Sequence, residues 1–193
     1  MNKYFRKHIP TKQLIIQPFN MDICVDFYEL VQQNTAWICD NFPTLLKHTL
    51  TINDTKNYVQ QRIFDWNKDK SYAYIICDVT HKKPIGYFNI KDVDWRKKQC
   101  EFSYFIDDKQ KNKGLMTEAI QAIILNIFTT TTIQHIVVQI NHTNLQSIKV
   151  AEKCWFKYEG TFYKPSSNGN NTLTDTAVYG ITKEAFEIKR RTN

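Results

Sequence analysis

The sequence predicts a mixed α/β fold in a single domain of 193 residues. The first third carries apolar residues at helical spacing, whereas from residue 71 onward the spacing changes to two or to continuous apolar runs. Aromatic residues are plentiful (12 Phe, 10 Tyr, 4 Trp) and Gly and Pro are scarce at five each, which argues against disorder and against blade-like repeats. Because no internal repeat or linker interrupts the pattern, we expect one domain over 1–193, with the fold spanning about 10–185 between short basic tails.

The N-terminal third is predicted to hold one strand and two helices. The strand covers residues 13–17, and a helix over 22–34 follows it. The apolar face of that helix consists of Ile23, Phe27, Leu30 and Val31. Thr51 and Asp54 have the spacing of a capping box, so a second helix is expected to begin there. The core face of the second helix consists of Ile52, Val59, Ile63 and Trp66.

The remaining chain is predicted to be richer in strands. These strands cover residues 71–79, 84–93, 99–106, 133–140, 156–164 and 173–181. A turn at 80–83 makes the first two a hairpin, and the third is expected to lie antiparallel to the second. Helices are expected at 114–128 and 145–154, a loop at 165–171, and a basic tail helix capped by Thr182. Before that tail the order is β-α-α-β-β-β-α-β-α-β-β, which makes seven strands.

Charge, cysteines and histidines exclude several classes of protein. The net charge is +7, but the lysines are scattered and no base-stacking aromatic residues interleave with them, so nucleic acid is not expected as a partner. The five cysteines form no CxxC pair and the five histidines show no HxxxH or HExxH spacing. Neither a disulfide framework nor a metal site is therefore expected. Reduced, mostly buried thiols instead favour a cytoplasmic protein.

No membrane segment is expected. Residues 119–148 carry no Asp, Glu, Lys or Arg, but the TTTT run at 129–132 and the NHTN cluster at 141–144 divide them into pieces too short to cross a bilayer. The N-terminus is basic and lacks the apolar core of a signal peptide. The uncharged stretch is therefore interpreted as a buried helix followed by a buried strand.

The junction between the third of these strands and the helix after it is predicted to bind an anion. A helix start presents backbone N–H groups without intrahelical partners, at the positive end of the helix dipole. Gly114 allows close approach of the chain to a ligand, and Lys109, Lys111 and Lys113 add positive charge. The alternative is a solvated lysine cluster, but three cations at this end of a helix are unfavourable without an anion. We therefore expect a phosphate-bearing cofactor here.

Three segments together carry a resemblance to a known family. They are the loop KNKGLMTEA at 111–119, the run QLIIQPF at 13–19 before an amphipathic helix, and Asn144-Leu-Gln-Ser147 leading into AEKCWFKYEG at 151–160. The chain resembles the GNAT superfamily of acetyl-CoA-dependent N-acetyltransferases, whose acyl-CoA loop usually reads Gln/Arg-x-x-Gly-x-Gly/Ala. Within it, the sequence looks like the RimJ/RimL-type branch, which acetylates protein N-termini. The resemblance covers nearly the whole chain and implies a mixed, mostly antiparallel sheet flanked by helices.

Four residues depart from the family pattern. Asn112 replaces a usual loop glycine, Met116 a small residue and Ser103 a glycine of the preceding strand. Trp155 replaces the glycine that normally gives the helix before Phe156 a left-handed end. Asn tolerates positive φ better than most residues, so the replacement at Trp155 bears most directly on the local path of the chain.

The resemblance implies two catalytic residues. Glu101 would draw the proton from the incoming ammonium, frequently through water, and Ser147 would donate a proton to the leaving thiolate. The alternatives are an exposed strand glutamate and a serine that only stabilises a helix start. Many members carry a tyrosine as general acid at the position that is Glu152 here, so that mechanism is not expected. No cysteine lies in a nucleophile setting, which agrees with direct transfer.

The resemblance also implies acetyl-CoA as cosubstrate, with no metal. The loop would hold the diphosphate, the end of the third strand would pair with the pantetheine arm, and a backbone N–H of residues 103–106 would meet the oxyanion. Asn144 would hold the pantetheine amides or cap its helix, and these two roles are compatible. The residues expected to contact the cosubstrate are Phe105, Ile106, Lys109, Lys111, Asn112, Lys113, Gly114, Leu115, Met116, Thr117 and Asn144.

The acceptor is expected to be the N-terminal amine of a protein or peptide. An aminoglycoside-like or other small amine ranks second. A polyamine ranks third, because a basic enzyme repels a polycation and the visible acidic clusters are only those at 92–94 and 107–108. The alternative from another class is a non-catalytic acyl-CoA-binding module. A monomer or homodimer is expected.

Overall fold

The computed structural model describes residues 5–165 and 173–192. Its strands are β1 (Ile9–Pro10), β2 (Leu14–Pro18), β3 (Tyr72–Asp78), β4 (Pro84–Asp94), β5 (Gln99–Ile106), β6 (His135–Asn141), β7 (Lys157–Pro165) and β8 (Leu173–Thr182). Within the described ranges they form one eight-stranded sheet in the order β1-β2-β3-β4-β5-β6-β8-β7. Neighbouring strands are antiparallel except β5 and β6, which are parallel.

Seven α-helices accompany the described strands. They are α1 (Cys24–Gln33), α2 (Thr35–Asn41), α3 (Pro43–Lys47), α4 (Ile52–Asn67), α5 (Leu115–Thr130), α6 (Leu145–Lys153) and α7 (Lys183–Thr192). Short 3₁₀ turns precede α1 at Met21–Ile23 and follow β5 at Asp108–Gln110. None of the helices in the described residues combines the length and the apolar character needed to cross a membrane.

Helices cover both faces of the sheet. The first four helices pack on one face, and the core there includes Phe27, Val31, Ile38, Val59, Ile75, Tyr87 and Phe105. The last three pack on the other face, and the core there includes Phe88, Phe102, Tyr104, Ile120, Ile124, Ala151 and Phe186. Burying an aliphatic or aromatic side chain of this size stabilises a fold by roughly 1.5–3 kcal/mol, so both layers are needed. Side chains on β4 and β5 therefore alternate between two different environments.

The predicted mixed α/β class is confirmed, and several elements match closely. β5 spans the predicted residues, and α4 begins at a capping box in which Thr51 and Asp54 bond reciprocally. The Thr182 hydroxyl accepts from the Ala185 N–H at 3.2 Å, which confirms the predicted start of the tail helix. The loop predicted at 165–171 lies outside the described residues apart from Pro165, which ends β7.

Three short elements were not predicted, and the predicted seven strands become eight within residues 5–165 and 173–192. β1 is only two residues long, and α2 and α3 are seven and five residues long. Segments of this length do not repeat an apolar period, so their conformation is decided by contacts with distant parts of the chain.

The left-handed helix end is retained at Trp155. Its φ is 68°, its N–H donates to the Glu152 carbonyl at 2.9 Å, and the next N–H donates to the Ala151 carbonyl at 3.1 Å. This is the arrangement that usually carries glycine. The Trp155 ring lies 5.6 Å from the Phe186 ring, which gives the bulky side chain an apolar neighbour on α7. Replacing glycine therefore leaves the path of the chain unchanged.

The parallel strands β5 and β6 separate part-way along their length. Their pairing runs from Gln99 with His135 to Phe102 with Val138. Beyond that point residues 103–106 and 139–141 continue without pairing to each other in the described structure, although β6 still pairs with β8 as far as Asn141. The backbone edge of β5 is therefore open towards a gap in the middle of the sheet.

Candidate active site

The start of α5 presents a row of unpaired backbone donors. Gly114 is its N-cap residue with φ of 79°, and Asn112 also lies in the left-handed region with φ of 62°. Within the described residues, the N–H groups of residues 112–117 donate to no acceptor, and the first intrahelical bond runs from Glu118 N–H to the Gly114 carbonyl at 3.0 Å. A Cβ atom added to Gly114 would meet nothing within 4 Å. The geometry is that of an anion cradle.

The three lysines of this loop point in different directions. Lys111 forms an ion pair with Asp108 and lies 5.2 Å from the centre of the Trp37 ring, with a mostly buried side chain. Lys113 donates to Gln110 at 2.9 Å and borders a different cavity, beside Asp107. Lys109 is exposed. Only Lys111 of the three therefore lines the cavity in front of the cradle.

That space, called the loop cavity below, is a cleft of about 420 Å³ bounded by residues 110–112 and 114–117, the end of β5 and α6. It brings together eight of the eleven residues predicted to contact the cosubstrate. They are Phe105, Ile106, Lys111, Asn112, Gly114, Leu115, Met116 and Thr117. Lys109, Lys113 and Asn144 lie outside it.

A second and larger space of about 920 Å³, the large cavity, opens on the side of α2, α3 and α4. Glu101 lies on its floor with 8% of its surface exposed, so the alternative of an exposed strand glutamate is wrong. One carboxylate oxygen accepts from Lys91 Nζ at 2.8 Å and the other from Gln139 Nε2 at 2.8 Å. Two donors on the neighbouring strands thus hold the carboxylate in one orientation.

The two cavities meet at the gap between β5 and β6. Tyr104 and Ser147 line both of them. Ser147 lies in the first turn of α6, and its hydroxyl makes no hydrogen bond with the part of the chain that the structure describes. The Tyr104 hydroxyl is buried, and this burial raises the pKa of Tyr104, so its phenol stays protonated at neutral pH.

Asn144 is used by the protein in two ways. Its Oδ1 accepts from the Ser147 N–H at 3.1 Å, which confirms the predicted helix cap. Its Nδ2 donates to Asn41 Oδ1 at 2.8 Å and so ties the end of α2 to the start of α6. The hydroxyl of Ser147 is therefore held at the junction of the two cavities by a rigid turn.

The described thiols show no sign of nucleophilic activation. Cys24, Cys77, Cys100 and Cys154 are buried, and only Cys39 is exposed. Burial raises the pKa of Cys77 to about 11 and that of Cys154 to about 12. Among the described residues no group of three or more His, Cys, Asp or Glu side chains is placed to hold a metal ion.

The sequence matches the family model for the acetyltransferase (GNAT) domain over residues 13–157, about three quarters of the chain. The chain belongs to the GNAT acetyltransferase family. This confirms the family predicted from the loop at 111–119 and the two other segments.

Relatives of this acetyltransferase include the ribosomal-protein-serine acetyltransferase of Escherichia coli (strain K12), which is 23% identical over 79% of the chain and 83% of the relative. Among solved structures, RimL, a ribosomal L7/L12 α-N-protein acetyltransferase in complex with coenzyme A, matches with a TM-score of 0.82 and 20% identity over 92% of this chain and 99% of that one. The microcin C7 self-immunity acetyltransferase MccE, in complex with acetyl-CoA and AMP, matches with a TM-score of 0.79 and 20% identity over 89% and 93%. These likenesses show that the GNAT fold extends over nearly the whole chain.

Lys91, Gln139 and Asn89 were missed as site residues of this GNAT protein. For Asn89 and Lys91 the sequence did carry a signal: they are polar residues two apart in the apolar strand β4, and so they share one face. Their pairing opposite Ser103 and Glu101 depends on the register of β4 and β5, which only the structure gives. Asn34 was also missed. It bonds Asp107 and the Asp108 N–H, and so attaches the end of α1 to the loop before α5.

Glu118 is expected to stabilise this acetyltransferase in a pH-dependent way. Its carboxylate accepts from the Gln13 N–H at 2.8 Å and the Gln13 side chain at 2.6 Å. Partial burial raises the pKa of Glu118, but hydrogen bonds from Thr11, Gln13 and Lys12 lower it by more, so the net pKa lies below its ordinary value. Stability from a lowered carboxyl pKa is present above that ordinary value of 4.5 and is lost as the pH falls through the folded-state pKa. Glu118→Gln should therefore reduce stability at pH 7 by about 1 kcal/mol, or about 2–4 °C in Tm.

The measurement is the Tm of both proteins at pH 7 and near pH 3. We expect the difference between them to shrink at the acid end, while the exposed control Glu187→Gln stays close to the native protein at both values. A difference that is the same at both pH values would rule out the carboxylate charge as its source.

Proposed function

We propose that this protein is an acetyl-CoA-dependent N-acetyltransferase of the RimJ/RimL type, whose acceptor is the N-terminal amine of a protein or peptide. One observation carries the proposal. A cavity in front of an anion cradle and a cavity with a buried carboxylate on its floor meet at a gap in the sheet. Such an arrangement suits two substrates that enter from opposite sides and react where the cavities join.

The loop cavity suits coenzyme A. The free N–H groups of residues 112–117 can bond diphosphate oxygens, and Lys111 adds one charge at the same place. The open backbone edge of β5 at residues 103–106 offers hydrogen bonds to an extended pantetheine arm. Acetyl-CoA is a substrate in this scheme, and its thioester would lie near Ser147, where the two cavities meet.

The transfer is proposed to be direct. An amine nitrogen, once its proton has passed to Glu101 or through water to Glu101, attacks the thioester carbonyl, forms the C–N bond and breaks the C–S bond. A backbone N–H of residues 103–106 would stabilise the oxyanion. The Ser147 hydroxyl would give its proton to the leaving thiolate and regain one from the nitrogen, which loses its second proton as the amide forms. Lys91 and Gln139 keep the Glu101 carboxylate pointing into the large cavity. The reduced thiols of the chain fit the cytoplasmic location that the sequence predicts.

The large cavity favours a peptide over a polyamine. Its charged lining is balanced, with Asp40, Asp54 and Glu101 against Lys47, Arg62 and Lys91. The acidic clusters at 92–94 and 107–108 do not line it. A polycation would therefore find no excess of negative charge there. The ribosomal-protein-serine acetyltransferase among the relatives supports the same acceptor class.

The test is thiol release from acetyl-CoA with a panel of acceptors. We expect kcat/KM for a short peptide with a free N-terminus to exceed that for spermidine or kanamycin at least about tenfold, equivalent to about 1.4 kcal/mol. The same peptide with a blocked N-terminus is the control and should release no thiol. A preference for spermidine or kanamycin would overturn the peptide acceptor. Tight acetyl-CoA binding without release for any acceptor would indicate a non-catalytic module.

A further inference from the structure

One buried carboxamide on the floor of the large cavity lacks a partner. Asn89 of β4 is 5% exposed and lines the cavity, yet its side chain makes no hydrogen bond with the residues that the structure describes. Its Oδ1 is fully buried. Buried polar groups in native proteins are almost always paired, because an unpaired one loses its bonds to water without replacement. An unpaired amide that faces a cavity therefore points to a ligand that completes it.

The neighbours of Asn89 on the same strand face are already paired. Tyr87 shares a 3.0 Å hydrogen bond with the Tyr58 hydroxyl, and Lys91 bonds Glu101 at 2.8 Å. Asn89 lies opposite Ser103, two pairs along from Lys91 and Glu101 and therefore on the same face of the sheet. Diagonal neighbours on one sheet face are about 7–8 Å apart, so a group bonded to Asn89 lies about one amino-acid residue from an amine at Glu101.

The chemistry of the amide selects the kind of group that would bind. The unpaired Oδ1 of Asn89 needs an N–H donor, and its Nδ2 can donate to a carbonyl. A peptide group or a primary amide supplies both an N–H and a carbonyl, whereas a plain alkylamine has no carbonyl. A second ammonium at Asn89 is disfavoured, because the Lys91 ammonium lies on the same face two residues along. The partner is therefore a neutral amide group next to the reactive amine, with an N–H for Oδ1 and a carbonyl for Nδ2.

We propose that Asn89 recognises the carbonyl, or the first peptide group, adjacent to the acceptor amine, and that it selects α-amino acyl acceptors over simple amines. The inference deepens the proposed function and rests on it for the place of the amine at Glu101. It assigns the discrimination between a peptide N-terminus and an unsubstituted alkylamine to a single side chain.

The experiment uses a matched pair of acceptors. Alaninamide and isopropylamine differ only in that a carboxamide is replaced by a methyl group. Their kcat/KM values are measured with native enzyme, Asn89→Ala and the near-isosteric Asn89→Leu. Each result is expressed as variant over native, which cancels the different basicities of the two amines. We expect both variants to lower kcat/KM for alaninamide by about 10- to 30-fold and that for isopropylamine by less than about 3-fold.

Asn126→Ala is the matched control. Asn126 is equally buried at 6% and its Oδ1 is also unpartnered, but it lies on α5, outside both cavities. It should show no selective loss for alaninamide. Equal losses for both amines with the Asn89 variants, or no loss for either, would overturn the proposal.

Two further outcomes are decisive. If the Asn89 variants do not fold, the test uses the native enzyme alone. Its kcat/KM values for the two amines are then compared after each is corrected to the unprotonated form. If the corrected value for alaninamide does not exceed that for isopropylamine, the proposal is contradicted. No turnover of either amine would contradict it as well. If alaninamide is acetylated and selected by Asn89 but longer peptides are not, the proposed protein acceptor fails while the role of Asn89 stands.

Discussion

Replacing Glu101 by Gln is expected to lower kcat at pH 7 by about 10²- to 10⁴-fold, the range that a positioned general base contributes. The amide keeps the shape of the side chain but cannot take a proton. An α-amine has a pKa of about 7.7–8.0, so at pH 7 most acceptor molecules are still protonated and depend on the base. We expect the deficit to shrink towards pH 9, where the free amine predominates. The measurement is the profile of kcat against pH for both proteins.

Glu159→Gln is the control for this change. Glu159 on β7 is likewise a paired carboxylate, but its partner His135, with Nε2 at 2.8 Å, lies at the other end of β6 from the gap. Because Glu159 lines neither cavity, its replacement should leave kcat within about 2-fold of native. Coenzyme A affinity should be unchanged in both variants. An unaltered profile of kcat against pH in Glu101→Gln would remove Glu101 from the mechanism.

The Lys91–Glu101 ion pair fixes the orientation of a buried carboxylate that still borders the large cavity. The Lys91 side chain is 38% exposed and lines the large cavity, so the pair joins the buried carboxylate to a partly exposed side chain.

The sequence predicted β5 and the position of Glu101 on it, but it did not predict the burial of Glu101. Alternation along a strand says which residues share a face. Whether that face is covered depends on other elements, here α2 to α4, which close the large cavity over β4 and β5. The two donors to Glu101 come from strands 10 and 38 residues away in sequence, and pairing at that separation leaves no local signal.

The directions of the side chains in the loop before α5 could not be predicted from the neighbouring sequence either. Lys109, Lys111 and Lys113 are equivalent as sequence, and alternation alone would point all three the same way. In the structure Asp108 and the Trp37 ring orient Lys111 towards the loop cavity, and Trp37 belongs to a helix too short to predict. By contrast, the backbone of this region was predictable, because helix starts leave donors free whatever the side chains are.

At two positions the left-handed backbone conformation is kept although a residue other than glycine stands where the family usually has glycine. Asn112 and Trp155 both keep positive φ, at 62° and 68°. The left-handed region costs a non-glycine residue roughly 1–2 kcal/mol, so the hydrogen bonds and packing around each residue outweigh the strain. At Trp155 these are the two bonds that end α6 and the contact with Phe186. Family glycines therefore mark a required conformation more firmly than a required residue.

Gly114→Trp is expected to weaken coenzyme A binding by about 100-fold or more, equivalent to about 2.7 kcal/mol. Gly114 lines the loop cavity, and a Cβ added to it meets nothing within 4 Å, so an indole at 114 is expected to compete for the space proposed for the diphosphate. Gly114→Ala places only one methyl group there and mainly adds the left-handed strain of about 1–2 kcal/mol to folding. The measurements are Kd for coenzyme A by calorimetry and Tm for each variant.

Gly160→Trp is the matched control for Gly114→Trp. Gly160 on β7 also has positive φ, at 156°, and a Cβ added there also meets nothing within 4 Å. It lies outside both cavities, so its replacement should lower Tm through backbone strain while Kd for coenzyme A stays at the native value. If Gly114→Trp bound coenzyme A as tightly as Gly160→Trp, the diphosphate could not lie on the donors of residues 112–117. The cosubstrate would then have to be held by the edge of β5 and by α6 alone, with its phosphates away from the helix start.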